Sequence, residues 1–284
     1  MNQEREPLPT RVRDLPPMAA GELAGIQASL AAGLAALGLS GLAPDVRTRL
    51  IDHVRLLLAW NEAINLTAIR TPEAAIREHV LDSLAAVPVL RGRALGALLD
   101  LGSGGGFPGI PLALALPARQ ALLVESVAKK AAFLSAAAGI VAGGPAGPAI
   151  DVYAGRSEAL AADRRHRERW PAVVARAIAP LAELAELALP LVAPGGLLVT
   201  WKRRQLEDEP GRSGLLSTEL AAAGPALDRL GGGAVTIEPV PVVGLEDHVL
   251  VVIEKAAPSS RGYPRDPARR RNRPIQPGDP LPSA

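Results

Sequence analysis

DLGSGGGFPG, residues 100–109, is a glycine-rich turn that directly follows a short apolar run, Ala97–Leu101, and precedes another, 110–116. A short run before such a turn is typical of a buried strand, and the run after it is typical of a helix. Five of the eight residues 102–109 are glycines, which let a backbone turn tightly and approach a ligand closely. The stretch predicts a ligand-binding turn, with a merely tight strand-to-helix connection as the alternative.

The spacing of the glycines bears on the identity of the ligand. Residues 102–106 follow the pattern Gly-x-Gly-x-Gly, and Phe107 stands where dinucleotide-binding turns have their third glycine. Glu125 ends the next predicted strand, 25 residues after Asp100, where a carboxylate can accept both hydroxyls of a ribose. S-adenosylmethionine and a nicotinamide dinucleotide both fit such a turn and acid. The glycine spacing favours S-adenosylmethionine.

From residue 97 onwards, short apolar runs alternate with helical patterns, which predicts a mostly parallel sheet with right-handed crossovers. The last two runs have no long helix between them, so they predict a hairpin and one antiparallel strand at the edge of a seven-stranded sheet, which also favours S-adenosylmethionine. The predicted strands are 97–101, 121–125, 150–154, 172–175, 197–201, 235–243 and 248–254. The predicted helices are 21–38, 44–62, one capped by Thr71 with Pro72 at its first position, 110–116, 128–141 and 181–192, and residues 194–196 are predicted as a turn.

The chain divides into four predicted segments. Residues 1–20 are polar and proline-rich and are expected to be disordered, and residues 21–92 form a helical cap. Residues 93–257 form the cofactor-binding domain. Residues 258–284 hold seven prolines, six arginines and two acids and are expected to form a disordered basic tail. The tail has a net charge of +4 against −2 for the rest, which suggests a polyanionic partner, although a solvated extension is an equal alternative.

The composition excludes several classes of protein. Hydrophobic residues make up 48% of the 284 residues, so a core can form, and there is no cysteine for a disulfide or a thiolate metal site. The four histidines are scattered, so no metal site is expected. No apolar run reaches the ~18–20 residues of a membrane span, and the N-terminus lacks the apolar stretch of a signal peptide. We expect a cytoplasmic protein that does not enter a membrane.

Several motifs together resemble the RsmG (GidB) family. The matching residues are NLT at 65–67, His79 with DS at 82–83, DLGSGGGFPGIPL at 100–112, ES at 125–126 with KK at 129–130 and FL at 133–134, GRSE at 155–158, ARA at 175–177, PGG at 194–196, and Lys202. The resemblance runs from about residue 44 to 255. It implies a Rossmann-like class I S-adenosylmethionine-dependent methyltransferase fold preceded by helices. It also implies transfer of a methyl group to N7 of a single guanine of 16S rRNA, at position 527 in standard rRNA numbering, in the small ribosomal subunit.

The resemblance also implies the residues of the site. Those implied to bind the cofactor are Gly102, Gly104, Phe107, Glu125, Ser157, Glu158 and Arg176. The candidates for the catalytic side, where the guanine is held, are Asn65, His79, Asp82, Arg176 and Lys202. The chain departs from the family after the fifth predicted strand, where Lys202 is followed by two arginines instead of the common glycine. Arg176, Lys202 and Arg203 follow strands whose carboxyl ends are the usual ligand side of an open α/β sheet.

The chemistry of the implied reaction makes modest demands on side chains. Guanine N7 carries an in-plane lone pair and no proton, so it can attack the methyl group without a general base, and the enzyme has to align the reacting atoms and capture the base. Other readings of the chain are a methyltransferase for a different RNA, a protein or a small molecule, a dinucleotide-dependent oxidoreductase, and a non-catalytic RNA-binding or ribosome-associated protein. We expect a monomer.

Overall fold

The computed structural model describes residues 7–91, 96–116, 120–142, 147–204 and 215–279. Helices α1–α11 are Ala20–Ala36, Pro44–Ile64, Pro72–Ala75, Asp82–Leu84, Val87–Leu90, Gly109–Ala115, Ala128–Val141, Ser157–Ala162, Leu181–Ala188, Leu215–Arg229 and Pro267–Asn272. A π-helical segment, Ile76–Leu81, joins α3 to α4, and a 3-10 turn covers Val12–Asp14. Strands β1–β7 are Ala97–Leu101, Gln120–Glu125, Ala149–Ala154, Trp170–Arg176, Val192–Arg203, Gly232–Pro239 and His248–Lys255.

The seven strands form one sheet in the order β3-β2-β1-β4-β5-β7-β6. The pairs from β3 through β5 are parallel, and β7 runs antiparallel to both β5 and β6. This confirms the predicted mostly parallel sheet that ends in a hairpin, with the reversed strand β7 inserted between β5 and the edge strand β6. The chain leaves β1 towards β2 on one side and returns on the other side as β4. A ligand crevice is expected at the carboxyl ends of strands where the order reverses in this way.

Each face of the sheet is covered by its own hydrophobic core. Successive residues of β1 alternate between the two cores, since Leu98 packs in one and Leu99 and Leu101 pack in the other. The first core also contains the buried side chains of α1 and α2, so the N-terminal helices cover that face of the sheet. The second core contains those of α9 and α10. The predicted boundary at 92/93 falls outside the described residues.

The described parts of the two terminal segments, residues 7–20 and 258–279, contact the rest of the protein. Leu15 is buried, and the indole N–H of Trp60 donates to the carbonyl oxygen of Pro9 at 2.8 Å. In the tail, Tyr263 and Ile275 are buried in the second core. Both segments are rich in proline and arginine, which is typical of a solvated chain, but their apolar side chains Leu15, Tyr263 and Ile275 are buried in the two cores.

One predicted turn was wrong, and two helices were not predicted. The predicted turn 194–196 lies inside β5, which begins at Val192 because the chain re-enters the sheet beside Trp170, just before a register shift. Helix α10 was missed because Gly224 and Pro225 interrupt its helical pattern, although Ala223, Ala226 and Leu227 give it a buried face. Helix α11 was also not predicted, although the sequence contains a helix start signal. The Asp266 side chain caps the helix by accepting the Arg269 N–H, and Pro267 stands at the first helical position.

Candidate active site

The glycines of the turn after β1 allow a left-handed backbone and also keep space free of side chains. Gly102, Gly104 and Gly106 have φ angles of 63°, 52° and 83°, in the left-handed region that favours glycine. A Cβ on Gly106 would lie 2.6 Å from Ile110 Cδ1, so this glycine allows tight packing. A Cβ on Gly104 would meet only the carbonyl oxygen of Gly102, at 3.8 Å. Gly104 therefore borders open space into which a side chain would project.

That space is a cavity of about 620 Å³ at the carboxyl ends of β1, β4 and β5. A second cavity, of about 210 Å³, lies on the other side of Gly102, which lines both. Seven residues predicted for the site line the larger cavity: His79, Asp82, Gly102, Gly104, Phe107, Arg176 and Lys202. Ser157 and Glu158 line the smaller one. The predicted cofactor-binding residues are thus divided between the two cavities, and Glu125 and Asn65 line neither of them.

A buried acid lies beneath the turn. Asp100 is 1% exposed, and its Oδ2 accepts the backbone N–H of Gly109 at 3.0 Å. Its Oδ1 is buried and has no hydrogen-bond partner within the described part of the chain. Burial raises the pKa of Asp100 to about 7. The carboxyl group fastens the start of α6 to the end of β1 and so holds the turn from below.

Glu125, the predicted ribose ligand, is tied to the same turn. Its Oε2 accepts the backbone N–H of Gly104 at 3.1 Å, and its Oε1 accepts that of Val127 at 2.8 Å. A carboxylate offers about four lone pairs, so these two bonds leave acceptor capacity for hydroxyl groups. The neighbours of Glu125 in sequence, Val124 and Ser126, line the smaller cavity.

Asp82 is the centre of a cluster in the larger cavity. Its Oδ2 accepts from Arg176 Nη1 at 2.8 Å, and its Oδ1 lies 3.0 Å from Nδ1 of His248. The indole N–H of Trp201 donates to its backbone oxygen at 2.8 Å. Sequence reasoning missed His248 and Trp201. The only signal for His248 is the register of the hairpin, which pairs it with Arg203.

His79 and Phe107 form the adjacent wall. Arg176 Nη2 lies 3.2 Å from His79 Nδ1, and because a guanidinium can only donate, Nδ1 accepts and Nε2 carries the proton. Nε2 lies 2.8 Å from the hydroxyl oxygen of Thr67, which accepts that proton. Burial, reinforced by the positive charge of Arg176, lowers the pKa of His79 to about 4, so the ring is neutral at pH 7. His79 lies in the π-helical segment, and such segments are frequent at functional sites.

Phe107 is enclosed on both faces. Its ring stacks on His53 at 4.4 Å and on His79 at 4.9 Å between centroids. His53 is fully buried beside the carbonyl oxygen of Gly105, and burial lowers its pKa to about 3. The guanidinium of Arg176 also lies over this ring, 5.8 Å from its centroid, and Phe107 is only 6% exposed, so little of the ring is left for a bound base.

Asn65 is not brought into the site. It is exposed, has a φ of 51°, and ends α2 in the left-handed conformation common at helix ends. The buried amide that shapes this loop is Asn61, whose Oδ1 accepts the N–H groups of Leu66 and Thr67 at 2.7 and 2.9 Å. Sequence reasoning passed over Asn61 because it lies within the helical stripe of α2.

The cations of the larger cavity differ in how they are held. Lys202 is paired with Glu219 at 2.5 Å, whereas Arg203, whose side chain is 69% exposed, lies 3.5 Å from Asp247. Lys130 lines the cavity, while its neighbour Lys129 is exposed. A paired interior and an exposed cationic rim suit an anionic substrate that reaches in from solvent.

The residues present fit S-adenosylmethionine. The open space at Gly104 is a cradle that any Cβ there would fill, and Gly102 borders both this cavity and the smaller one. Glu125 retains acceptor capacity beside that junction. Within the described residues, no cluster of three or more histidines and acids could hold a metal ion, and no helix there is long and apolar enough to cross a membrane.

Comparisons with known proteins identify the family. The family model "rRNA small subunit methyltransferase G" (GidB) matches residues 47–213. A ribosomal RNA small subunit methyltransferase G from Roseiflexus sp. (strain RS-1) is 42% identical, over 75% of this chain and 86% of that protein. The one from Burkholderia thailandensis is 43% identical, over 66% of this chain and 79% of that protein. Among solved structures, the CurJ carbon methyltransferase aligns with 14% identity and a TM-score of 0.45 over 82% of this chain and 71% of that one. The chain belongs to the family of ribosomal RNA small subunit methyltransferase G, S-adenosylmethionine-dependent enzymes that methylate guanine N7 in 16S rRNA.

Proposed function

We propose that this protein transfers the methyl group of S-adenosylmethionine to N7 of one guanine of 16S rRNA, at position 527 in standard rRNA numbering. Membership of a methyltransferase family argues against the oxidoreductase reading. The observation that carries the proposal is the larger cavity, which runs from the open side of Gly104 to a rim with Lys130 and Arg203. A flipped base can enter past a cationic rim while its phosphates stay outside.

The cofactor is proposed to lie across the glycine turn. Glu125 would accept the ribose hydroxyls, Ser157 and Glu158 would border the adenine in the smaller cavity, and Gly104 would allow close approach in the larger one. Gly102 lines both cavities and so belongs to the middle of the site. Bound there, S-adenosylmethionine supplies an electrophilic methyl group.

The guanine is proposed to lie against Arg176, His79 and Thr67. Arg176 is fixed by Asp82 and by the carbonyl oxygen of Glu78, at 2.8 and 3.1 Å. The Thr67 hydroxyl accepts from His79 and from the N–H of Ile69, so its own proton is available to donate into the cavity. A donor of that kind can hold O6 of guanine and thereby orient N7.

Orientation is the main contribution expected of these side chains. N7 loses no proton in the reaction. Because His79 is neutral, it does not protonate the N7 lone pair that has to attack the methyl group. Asp82 accepts from Arg176 at 2.8 Å and lies 3.0 Å from His248 Nδ1, so the guanidinium of Arg176 is held in place beside the proposed base. Alignment of nucleophile and methyl group is the effect that such rigid side chains can supply.

The decisive experiment maps N7-methylguanine in 16S rRNA by borohydride and aniline cleavage. We expect cleavage at position 527 in cells with the gene, none in a deletion strain, and restoration by the wild-type gene. A variant with Arg176→Ala should fail to restore it while still folding. Cleavage that persists in the deletion strain, or that appears at another guanine, would overturn the assignment.

The remaining proposals concern organisation and setting. We propose that residues 21–92 act as a helical cap over the sheet domain of residues 93–257. We also propose that the protein works as a monomer on the small ribosomal subunit, in the cytoplasm where that subunit is assembled. A helical cap is supported by Thr67, His79 and Asp82, which reach the larger cavity from that segment.

A further inference from the structure

The smaller cavity is bounded by a residue from the far end of the chain. Arg270 of α11 lines it together with Gly102, Ser157 and Glu158. Its Nη2 lies 2.6 Å from Glu158 Oε1 across a sequence separation of 112 residues. The side chain of Arg270 is only 4% exposed, so it is a built part of the cavity and not a passing surface contact.

The guanidinium of Arg270 donates from both Nη atoms, and its Nε lacks a hydrogen-bond partner among the described residues. Its Nη1 donates to the carbonyl oxygen of Arg265 at 2.5 Å. Its Nε lies 3.6 Å from Glu183 Oε1, too far for a hydrogen bond, and is buried without a hydrogen-bond partner among the residues that the structure describes. Glu183 also lines the cavity, so this unsatisfied N–H lies at its wall.

The segment that carries Arg270 is fastened to the body at several points. Arg265 makes two hydrogen bonds to the buried carboxylate of Glu186, at 2.9 and 2.8 Å. Arg167 donates to the carbonyl oxygen of Tyr263 at 2.8 Å, and the Tyr263 ring is buried. A buried two-pronged arginine–carboxylate pair fixes direction as well as distance. The position of Arg270 is therefore set by the docking of the whole segment.

We propose that the C-terminal segment, residues 258–279, forms one wall of the cofactor site, and that Arg270 is a positioning residue that orients Glu158 for the adenine end of S-adenosylmethionine. The proposal rests on the proposed function, since it takes the smaller cavity as the adenosine side. It assigns the inward face of the tail to the cofactor and not to rRNA.

The electrostatics of the wall support this role. Burial acts to raise the pKa of Glu158, but the hydrogen bond to Arg270, a backbone hydrogen bond and the positive charges of Arg270 and Arg156 together hold that pKa below its ordinary value. Without Arg270, the lining of the cavity would keep Glu158 and Glu183 with one cation, Arg156, which precedes Glu158 by two residues and does not come from the C-terminal segment. The Glu158 carboxylate would lose its 2.6 Å hydrogen bond to Arg270, and the cavity would lose the side chain that closes it from the C-terminal segment.

If the C-terminal segment forms a wall of the cofactor site, binding of the cofactor and docking of this segment must stabilise each other. A ligand that contacts the docked tail stabilises the docked state by its differential affinity, and the docked tail raises the affinity for the ligand by the same factor. The adenosine portion is shared by S-adenosylmethionine and the product S-adenosylhomocysteine, so both should respond equally. The methyl-transfer step at saturating cofactor should not respond.

The test compares Arg270→Ala with Arg271→Ala, an exposed arginine next to it on the same helix. We expect Arg270→Ala to raise the dissociation constants of S-adenosylmethionine and S-adenosylhomocysteine at least tenfold in calorimetry, and to raise KM for the cofactor with kcat within about twofold. Arg271→Ala should match wild type, and Arg270→Lys should recover part of the affinity. Dissociation constants within twofold of wild type for Arg270→Ala would overturn the proposal.

A second measurement uses the wild-type protein, so its result does not depend on whether a variant folds. Amide hydrogen exchange of residues 258–279 should slow when S-adenosylhomocysteine is added. Unchanged exchange at saturating ligand would overturn the wall while leaving the proposed function standing. If the wild-type protein binds neither ligand, the proposed function and the wall both fail.

Discussion

Gly104→Val should abolish binding of S-adenosylmethionine and leave the protein folded. A β-branched residue at a φ of 52° is strained by about 1–2 kcal/mol, and its side chain would occupy the open space beside the turn. Calorimetry with the cofactor and a thermal melt of the same sample measure the two effects. A folded variant with wild-type affinity would show that the cofactor lies elsewhere.

Asp100 should make the stability of the cofactor-free protein depend on pH. Its pKa is raised to about 7 in the folded state, so its stabilising contribution is complete below about pH 4 and is lost as the pH rises towards 7. Asp100→Asn removes this loss. We expect the free energy of unfolding of the variant, relative to wild type, to rise by about 2–3 kcal/mol between pH 5 and pH 8.

Urea unfolding at the two pH values measures this difference. His53 and His79, whose pKa values are lowered to about 3 and about 4, act in the opposite direction and destabilise both proteins below pH 6.5. Their contribution cancels when the variant is compared with wild type. A difference that stays the same at pH 5 and pH 8 would refute a raised pKa for Asp100.

At the scale of elements, the strands and their hairpin followed from apolar runs, while the contacts between elements did not. The sequence placed His79 and Asp82 on one helical face, but the structure shows that Arg176 of β4 lies between them and contacts both. His248 joins the same cluster only because β7 is inserted beside β5. Periodicity reports one element at a time, so a cluster built from α4, β4 and β7 could not be derived from it.

Asp82→Asn should loosen the attachment of the N-terminal helices to the sheet. The substitution removes a buried charge that pairs with Arg176 and His248, and breaking a buried ion pair costs about 3–5 kcal/mol. We expect about 3 kcal/mol in urea unfolding, because the guanidinium of Arg176 can still reach solvent through the cavity. Asp45→Asn, which breaks the exposed Asp45–Arg49 pair within α2, is the matched control and should leave the free energy of unfolding close to that of the wild type. Equal costs for the two variants would contradict a linking role for Asp82.

On the scale of the whole molecule, the arrangement of arginines changes the expectation for the basic tail. Two of its six arginines, Arg265 and Arg270, are buried in ion pairs with Glu186 and Glu158 and cannot contact phosphate. Composition alone counted all six towards a polyanion, because charge per segment does not tell which side chains face inward. The cations at the rim of the larger cavity, Lys130 and Arg203, come instead from the sheet domain.

The rim of the larger cavity, rather than the tail, should therefore govern the salt dependence of rRNA binding. Replacing Lys130 and Arg203 by glutamine removes two potential phosphate contacts, and each contact contributes about 0.7–0.9 to the slope of log affinity against log salt. We expect the slope for binding of an unmethylated small-subunit particle to fall by about 1.4–1.8 in this variant. Replacing the exposed tail residues Arg269 and Arg271 by glutamine changes the charge equally and should leave the slope unchanged. Titration of both variants at several salt concentrations separates the two surfaces, and a slope that falls only in the tail variant would move the rRNA interface to the C-terminal segment.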